Sequence, residues 1–242
     1  GAVHVLEVSS FQMEQIHHFK PAVAVILNLS PDHLDRYGTM DAYINAKLRI
    51  VENMTKDDHV VYNSADSLLR RRLKTSGTLV PFALNATENL LFSLNETKIY
   101  DRSEKPFVYL SEISLPGRHN ISNFLAAATA ARLLKIDEKA IKNVMKTFSG
   151  VPHRLEKVRT LKDVTFYNDS KATNAEAAAR ALVCYRPIYW IVGGIAKEGG
   201  IDGLASHFGR IRHAFLIGDS MEVFASTLAG RVAFSACVTL HH

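Results

Sequence analysis

The 242-residue sequence predicts an α/β protein with a mainly parallel sheet. Strand-like apolar runs alternate with segments of helical periodicity along almost the whole chain, which is typical of layered α/β folds. Several of these runs are apolar on both faces, as the strands of a buried parallel sheet are. Residues 89–110 depart from the pattern, because shorter alternating runs there predict small antiparallel hairpins.

The first half of the chain carries the clearest strand signals. Residues 3–8 and 22–29 are largely apolar and predict buried strands. Residues 40–51 have apolar side chains at helical spacing and predict an amphipathic helix. A further strand is predicted at 59–62.

The second half contains alanine-rich helices and then repeated strand–helix units. A turn at Pro116-Gly117 precedes two predicted helices, at 123–134 and 137–147. Gly150-Val151-Pro152 interrupts the pattern and predicts a domain boundary. After it, strands that are each followed by a helix are predicted at 164–167, 188–192 and 214–217, and residues 232–240 predict a last strand and the start of a helix.

Composition excludes several classes of protein. Hydrophobic residues make up 47% of the chain and charged residues 22%, as in soluble globular proteins. No apolar run approaches the roughly 20 residues of a membrane span, and we find no signal-peptide pattern. Cys184 and Cys237 form neither a metal-binding spacing nor a disulfide framework, which favours a cytoplasmic protein. The net charge of +5 comes from scattered lysines and arginines, so it indicates small anionic substrates at least as well as nucleic acid.

Both ends of the chain predict missing segments. Gly1-Ala2-Val3 leads directly into an apolar run without a cap or loop, and the last predicted strand stops shortly before His241-His242. We therefore expect a fragment, or a chain from which segments are absent.

The richest polar motif follows the strand predicted at 164–167. It reads Asn168-Asp169-Ser170-Lys171-Ala172-Thr173-Asn174 and precedes an alanine-rich helix. Ligands of open α/β sheets bind beyond the carboxyl ends of strands, so this turn is a candidate site. The alternative is an ordinary helix start that is capped by Asp169, Ser170 or Thr173.

Two neighbouring strand ends carry candidate metal ligands. Glu7 ends the first apolar run and precedes Ser9 and Gln12, and a buried carboxylate there needs a cation or a partner. Asp32 and His33 follow the second run and could join Glu7 around a divalent ion, for which an oxygen-rich set favours magnesium or manganese. The alternatives are that strand alternation turns Glu7 to solvent and that His33 belongs to an ordinary polar loop.

Lys47 occupies a position where an apolar residue is expected. It lies on the stripe Met40, Tyr43, Ile44, Lys47, Val51, which has the spacing of a buried helix face. The lysine either reaches the surface along its alkyl chain or serves a site, as a cation or as a covalently modified anion. The pattern leaves both possibilities open.

Three further motifs could contact phosphate or nucleotide. Gly117-Arg118-His119-Asn120 with Asn123 opens a helix whose amides favour anions, although asparagine is also a common cap. Pro152-His153-Arg154 offers a guanidinium suited to phosphate or, alternatively, a turn with a solvated arginine. The glycine-rich residues 193–200 follow a buried strand. They either let a ligand approach the backbone beside Lys197 or form a flexible loop. Their spacing does not match the dinucleotide-binding fingerprint.

Taken together, these motifs resemble those of the Mur ligases. The elements shared across that superfamily are Asp-His-Leu-Asp at 32–35 and Asn-Ala-Lys at 45–47. Glu-Val-Ser-Ser-Phe-Gln at 7–12 and Asn-Asp-Ser-Lys-Ala-Thr-Asn at 168–174 resemble the branch that adds D-glutamate, with further matches at 117–120 and 152–154. The resemblance covers essentially the whole chain. It implies a central ATP-binding domain, 1–151, and a Rossmann-like C-terminal domain, 152–242.

The resemblance also implies an ATP-dependent ligase of peptidoglycan synthesis. In such enzymes the carboxylate of UDP-N-acetylmuramoyl-L-alanine attacks the γ-phosphate of ATP, and the amine of D-glutamate displaces phosphate from the resulting acyl-phosphate. The corresponding expectation is a cytoplasmic monomer that binds neither nucleic acid nor membrane.

Residue roles are implied only at positions that match the family motifs. Two Mg²⁺ ions would be held by Glu7, His33 and Lys47, the last as a carbamate. Asn120 and Asn123 resemble adenine contacts, and Arg154 and Asp169 resemble other contacts to ATP. The implied substrate-binding set is Ser9, Gln12, Lys171, Thr173 and Lys197, and the implied catalytic set is His33, Lys47, His153 and Lys171.

Two features depart from the family pattern. The P-loop and the domain that binds the UDP moiety are absent, so we expect this chain alone not to complete the reaction. Ile195 stands where many relatives carry an acidic residue. The alternatives are another ligase of the superfamily, such as a folylpolyglutamate synthase, and a non-catalytic binding protein. A nicotinamide-dependent oxidoreductase is a third alternative, which the lack of a dinucleotide fingerprint disfavours.

Overall fold

The computed structural model describes residues 2–85, 89–102, 105–197 and 199–238, with Val238 described by its backbone. The chain divides into two compact units. Unit 1 comprises Gly1–Ser114 and Arg118–Phe148, and unit 2 comprises Leu115–Gly117 and Ser149–His242. The division into domains at 151–152 stays a prediction, because compactness does not test whether each part folds independently.

Unit 1 is built on a parallel sheet of three strands, β1 (Val23–Ile26), β2 (His59–Asn63) and β3 (Thr78–Phe82), which lie in the order β1-β2-β3. Helix α3 (Met40–Leu48) is extended by a short 3₁₀ turn, Arg49–Val51, so the helix predicted at 40–51 is confirmed. The strands predicted at 22–29 and 59–62 are also confirmed. The helix at Ser67–Arg72 and the strand at Thr78–Phe82 have no counterpart in the sequence prediction. The elements are α1 (Ser10–Met13), β1 (Val23–Ile26), α2 (Leu34–Tyr37), α3 (Met40–Leu48), β2 (His59–Asn63), α4 (Ser67–Arg72) and β3 (Thr78–Phe82).

The first core of unit 1 lies between this sheet and its helices. Ala24 of β1, Ile44 of α3, Val60 of β2 and Leu69 of α4 belong to one buried cluster, and each is at most 1% exposed. Parallel strands are normally covered by helices in this way, because the crossover between two parallel strands is a helix.

Residues 3–8 form no strand, so that prediction is wrong. Val5 is 89% exposed and Leu6 64% exposed. A strand is stabilised by hydrogen bonds to a neighbouring strand, and no strand within the described ranges pairs with these residues. Apolar composition alone therefore does not produce a strand here.

A small antiparallel sheet and two helices complete unit 1. Strands β4 (Phe92–Leu94), β5 (Lys98–Asp101) and β6 (Pro106–Tyr109) pair consecutively, as the alternating runs predict. Helix α5 (Arg118–Leu133) begins earlier than predicted, and α6 (Glu138–Thr147) is capped by Asp137, whose carboxylate accepts hydrogen bonds from two amides of its first turn.

Unit 2 begins with an antiparallel hairpin of β7 (Glu156–Leu161) and β8 (Val164–Asn168). The connecting residues Lys162 and Asp163 both have positive φ, 45° and 63°, as a two-residue type I′ turn requires. The sequence predicts β8 but not β7. The reason is that β7 is exposed along almost its whole length and carries no hydrophobic pattern.

The parallel sheet of unit 2 consists of β9 (Ile188–Gly193), β10 (Ile211–Ile217) and β11 (Phe234–Val238) in the order β11-β10-β9. It confirms the predicted alternation of strands and helical segments. Ala214 and Leu216 of its central strand are fully buried, and Trp190 packs against the same cluster. No helix of the described residues is long and apolar enough to span a bilayer. The helix predicted to begin before residue 240 lies outside the described residues. The elements are α7 (Ala175–Leu182), β9 (Ile188–Gly193), a 3₁₀ segment (Asp202–Arg210), β10 (Ile211–Ile217), α8 (Met221–Leu228) and β11 (Phe234–Val238).

Candidate functional site

A reciprocal cap organises residues 7–12 at the start of α1. The Gln12 amide donates to Ser9 Oγ at 3.3 Å, and the Ser9 amide donates to Gln12 Oε1 at 2.8 Å. Ser9 and Gln12, both predicted to bind substrate, therefore form a capping box with each other. Glu7, just before the cap, is exposed and not buried as the sequence predicts. The cost of burying a carboxylate is therefore no argument for a bound cation here.

A row of aromatic rings links His33 to Lys47. The Phe11 ring lies 4.9 Å from the His33 ring and stacks on Tyr37 at 5.9 Å, measured between centroids. Tyr37 in turn contacts Tyr43 at 5.5 Å, and the Tyr43 hydroxyl accepts a hydrogen bond from Lys47 Nζ at 3.1 Å. This aromatic row of Phe11, Tyr37 and Tyr43 brings together three motifs that are separate in the sequence.

Lys47 is half-buried on the stripe that the sequence predicts for α3. Tyr43, Ile44 and Val51 of that stripe are buried. The Lys47 ammonium lies 5.1 Å from the centroid of the Tyr43 ring, a cation–π contact. From the sequence alone, Tyr43 is predicted only as a core residue. Its position four residues before Lys47, on the same helix face, is the signal that identifies it as the partner.

His33 and Asp32 lie at the start of α2, and the structure does not gather a complete metal site around them. The His33 amide donates to Asp32 Oδ1 at 3.0 Å, and His33 Nε2 lies 3.6 Å from Asp32 Oδ2. Across residues 2–85, 89–102, 105–197 and 199–238, no three His, Cys, Asp or Glu side chains come together in a way that could hold an ion. A magnesium site at Glu7 and His33 therefore needs another donor, such as a modified Lys47 or a substrate phosphate.

Arg49, at the end of α3, binds the irregular segment 14–19 that follows α1. Its guanidinium donates to the backbone carbonyls of Glu14 and Ile16, at 2.5 and 2.8 Å. The same guanidinium forms two hydrogen bonds with the Glu52 carboxylate, at 2.8 and 2.9 Å. This forked pairing fixes the orientation of the guanidinium and hence the position of the segment.

Two neighbouring contacts reinforce that attachment. Asn53 Nδ2 donates to the carbonyls of His17 and Phe19, at 3.0 and 3.1 Å. Arg36 of α2 bonds the Glu14 carboxylate at 2.8 Å, and this hydrogen bond lowers the pKa of Glu14. Helices α1, α2 and α3 are thus held in one arrangement around the aromatic row.

The predicted adenine contacts lie in the first turns of α5. Asn120 is half-buried and Asn123 is exposed. Residues three apart share a helix face, so the two amides lie side by side there. The sequence predicts that these asparagines precede or open the helix, whereas the structure places both inside it, since α5 begins at Arg118.

In unit 2, hydrogen bonds join the motif at 152–154 to the turn at 168–174. The Leu155 amide donates to Asp169 Oδ1 at 2.8 Å. Asn168 Nδ2 lies 2.8 Å from His153 Nδ1, and the Lys171 amide donates to the His153 carbonyl at 3.0 Å. The sequence predicts both motifs but gives no sign that they touch. Antiparallel pairing of β7 and β8 brings them together.

Helix α7 is capped by Asn174, whose Oδ1 accepts from the Ala177 amide at 2.8 Å. The alternative in which Asp169, Ser170 or Thr173 caps the helix is therefore wrong. The side chains of Lys171 and Thr173 are exposed beyond the carboxyl end of β8, and Arg154 is exposed as well. The turn thus presents cationic and hydroxyl groups that the cap does not use.

The glycine-rich loop after β9 is docked on β10. A β-carbon at Gly193 would lie 1.9 Å from the Ile217 carbonyl oxygen, so glycine is required there by the neighbouring strand and not by a ligand. Gly194 has φ 101°, and its carbonyl accepts from the Ser220 hydroxyl at 2.7 Å. Ser220 thus holds the loop in place, a role that the sequence does not predict; it follows β10 directly after Gly218 and Asp219. Lys197 and Ile195 are exposed in this loop.

Two potentially reactive groups near the end of α7 are poorly placed for chemistry. Burial raises the pKa of the Cys184 thiol, and burial also raises the pKa of Tyr185. Tyr185 stacks on Tyr167 of β8 with ring centroids 4.4 Å apart. Both groups therefore stay protonated near neutral pH, and the Tyr185 ring packs on the hairpin.

The chain is similar to one known protein family and to several proteins of known activity. The family described as the Mur ligase middle domain matches residues 2–131. The UDP-N-acetylmuramoylalanine–D-glutamate ligase of Paramagnetospirillum magneticum is 44% identical over 242 residues, which cover 98% of this chain and 53% of that protein. The chain thus spans about half the length of the curated relatives it matches.

Solved structures show the same architecture at low sequence identity. The UDP-N-acetylmuramate-alanine ligase MurC from Thermotoga maritima aligns with a TM-score of 0.69 at 20% identity, covering 94% of this chain and 53% of that one. MurF ligase from the same organism, solved in complex with ADP, aligns with a TM-score of 0.65 at 18% identity, covering 90% of this chain and 53% of that one. At these identities the likeness concerns the fold.

Proposed function

This chain belongs to the Mur ligase family through its middle domain, and from that premise we propose that it serves the ATP-dependent addition of D-glutamate to UDP-N-acetylmuramoyl-L-alanine. The observation that carries the proposal is 44% identity, across 98% of the chain, to a ligase named for those two substrates. The substrate carboxylate attacks the γ-phosphate of ATP and releases ADP. The amine of D-glutamate then displaces phosphate from the acyl-phosphate and forms the amide.

Unit 1 is proposed to bind the metal and part of the substrate. Glu7 and His33 supply a carboxylate and an imidazole, which are common donors to divalent cations. Mg²⁺ would neutralise the phosphate charge that develops during phosphoryl transfer. Ser9 and Gln12 are proposed to contact the nucleotide-linked substrate.

Lys47 is proposed to act as a carbamate, the anion that forms when its amine reacts with carbon dioxide. Lys47 is half-buried on α3, and its Nζ lies 3.1 Å from the Tyr43 hydroxyl. The Tyr43 hydroxyl, which accepts from the ammonium, can instead donate to a carbamate oxygen. The same partner can therefore hold either form of the side chain.

Four residues are proposed as nucleotide contacts: Asn120, Asn123, Arg154 and Asp169. Asn120 and Asn123 share a face of α5, and amide side chains of this kind can both donate to and accept from an adenine base. Arg154 can pair with phosphate through its planar guanidinium. Asp169 is proposed as a further nucleotide contact.

Unit 2 is proposed to hold D-glutamate and the tetrahedral intermediate. D-glutamate carries two carboxylates, and the exposed ammonium groups of Lys171 and Lys197 suit anions of this kind. The Thr173 hydroxyl adds a donor on the same turn as Lys171. A cytoplasmic location and a monomeric state complete the proposal.

The proposal is tested with the protein as its gene encodes it, by measuring ADP release. We expect release only when ATP, UDP-N-acetylmuramoyl-L-alanine and D-glutamate are all present, and not when L-glutamate replaces D-glutamate. Lys171→Ala should lower kcat/KM about a hundredfold, a typical result of removing one group that stabilises a developing anion. Lys157→Ala, on the exposed strand β7, is the matched control and should leave it unchanged.

Two outcomes would contradict the proposal. ADP release with a folate and L-glutamate in place of these substrates would identify another ligase of the superfamily. Binding of the substrates without any ADP release would identify a non-catalytic binding protein.

A further inference from the structure

His153, in the loop that precedes β7, forms hydrogen bonds through both its backbone and its side chain. Its amide donates to Glu156 Oε2 at 2.9 Å, and its carbonyl accepts from the Lys171 amide at 3.0 Å. Its ring nitrogen Nδ1 lies 2.8 Å from Asn168 Nδ2. Backbone and side chain of one residue thus contact both ends of the turn that carries Lys171.

The backbone of this loop needs those contacts. His153 and Leu155 have φ of 65° and 49°, in the left-handed region that side chains with a β-carbon rarely adopt. Leu155 is held there by its hydrogen bond to Asp169 Oδ1. The conformation of the loop and the position of the turn therefore depend on each other.

The hydrogen bonds also determine which nitrogen of the ring carries the proton. Asn168 Oδ1 accepts from the Ser170 amide at 3.1 Å, which fixes the orientation of the Asn168 amide. Its Nδ2 must then be the donor toward His153, so Nδ1 must accept. In this arrangement Nδ1 carries no proton, because it is fully used in accepting from Asn168.

We propose that His153 is a positioning residue, not a catalytic one: its Nδ1 and its carbonyl hold the turn at 168–171, and with it Lys171, in place. The proposal deepens the ligase function proposed above and rests on it only for the consequence to turnover. With its ring Nδ1 hydrogen-bonded to Asn168 and its backbone carbonyl to the Lys171 amide, His153 aligns that turn without itself touching a substrate.

The first experiment compares two replacements that both tolerate positive φ. Asparagine and glycine are the residues that most readily adopt this backbone conformation, but only H153N keeps an acceptor near the place of Nδ1. We expect hydrogen exchange of the Lys171 amide to become about tenfold faster in H153G, the equivalent of one lost hydrogen bond. In H153N it should stay within about twofold of the wild type.

The second experiment reads the tautomer directly by ¹⁵N NMR of the histidine ring at pH 8. We expect an unprotonated Nδ1 in the wild type. In Asn168→Asp, the carboxylate still accepts from the Ser170 amide but offers His153 only acceptors, so the proton should move to Nδ1. A protonated Nδ1 in the wild type, or equal exchange in H153N and H153G, would overturn the proposal.

Turnover separates this proposal from the ligase function. If exchange of the Lys171 amide rises in H153G and ADP release falls with it while H153N retains both, the positioning role is supported together with the role of Lys171. If exchange rises but turnover is unchanged, the positioning role stands and the role of Lys171 in the ligase reaction is wrong.

Discussion

Replacing Gly193 by alanine should destabilise unit 2 strongly, although only one methyl group is added. The new β-carbon would lie 1.9 Å from the Ile217 carbonyl oxygen and 2.6 Å from Ile217 Cγ1. Real β-carbons essentially never approach heavy atoms within 3.0 Å, so β9 and β10 must separate by about 1 Å at this pair. That movement also lengthens the hydrogen bond from the Gly194 amide to the Ile217 carbonyl, which is 3.3 Å in the native structure.

The magnitude follows from these two terms. Overpacking in a well-packed region costs typically 1–3 kcal/mol, and one weakened hydrogen bond adds about 1 kcal/mol. We therefore expect Gly193→Ala to lower the free energy of unfolding by about 3 kcal/mol. With a urea dependence of about 2 kcal/mol per molar, the unfolding midpoint should fall by roughly 1–2 M.

The assay uses the single tryptophan of the chain. Trp190 lies on β9 and packs against the core of unit 2, so its fluorescence during urea unfolding reports on that unit. Gly209→Ala is the matched control, because a β-carbon there meets nothing within 4 Å, and it should be neutral or slightly stabilising. A midpoint for Gly193→Ala equal to that of the control would refute the assigned close approach of the two strands.

Two further predictions concern unit 1. Hydrogen bonds from the Thr55 backbone and from Lys20 lower the pKa of Asp58 from 3.8 to about 2. The ionised Asp58 carboxylate therefore stabilises the fold above about pH 4, and this stabilisation is lost as the pH falls toward 2. Urea unfolding followed by circular dichroism between pH 2 and 7 should show that acid lowers the free energy of unfolding less in Asp58→Asn than in the wild type. Asp57→Asn, at the exposed neighbouring position, is the control and should behave as the wild type. Arg49→Lys removes the fork that holds the Glu52 carboxylate and two carbonyls, so it should lower the urea unfolding midpoint and speed hydrogen exchange in segment 14–19. Arg71→Lys on the exposed face of α4 is its control, and equal exchange in both variants would show that the fork does not hold the segment.

The sequence allows prediction of local features whose causes are local. The stripe of α3 follows from helical spacing alone, and the polar turn after β8 follows from a strand signal and an alanine-rich continuation. Both are found where they were expected. Strand β7 escapes prediction because its exposed residues lack an apolar pattern, and residues 3–8 mislead because an apolar run does not reveal whether a partner strand is present.

The parts of the candidate site that prediction misses depend on contacts between distant segments. The stack of Phe11 on Tyr37 joins residues from two helices, and no pattern within either helix announces it. The contact of His153 with Asn168 depends in the same way on the pairing of β7 with β8. Sequence motifs therefore located the candidate groups, while the geometry that relates one group to another came only from the folded chain.

The attachment of segment 14–19 has a consequence for how this protein can change during evolution. Arg49 and Asn53 bind four carbonyl groups of that segment, and every residue type carries a carbonyl. The exposed positions Gln15, His17 and His18 can therefore accept almost any amino acid without loosening the attachment. An inserted or deleted residue would instead shift every carbonyl away from its donor, so selection here acts on the length of the segment and hardly on its composition.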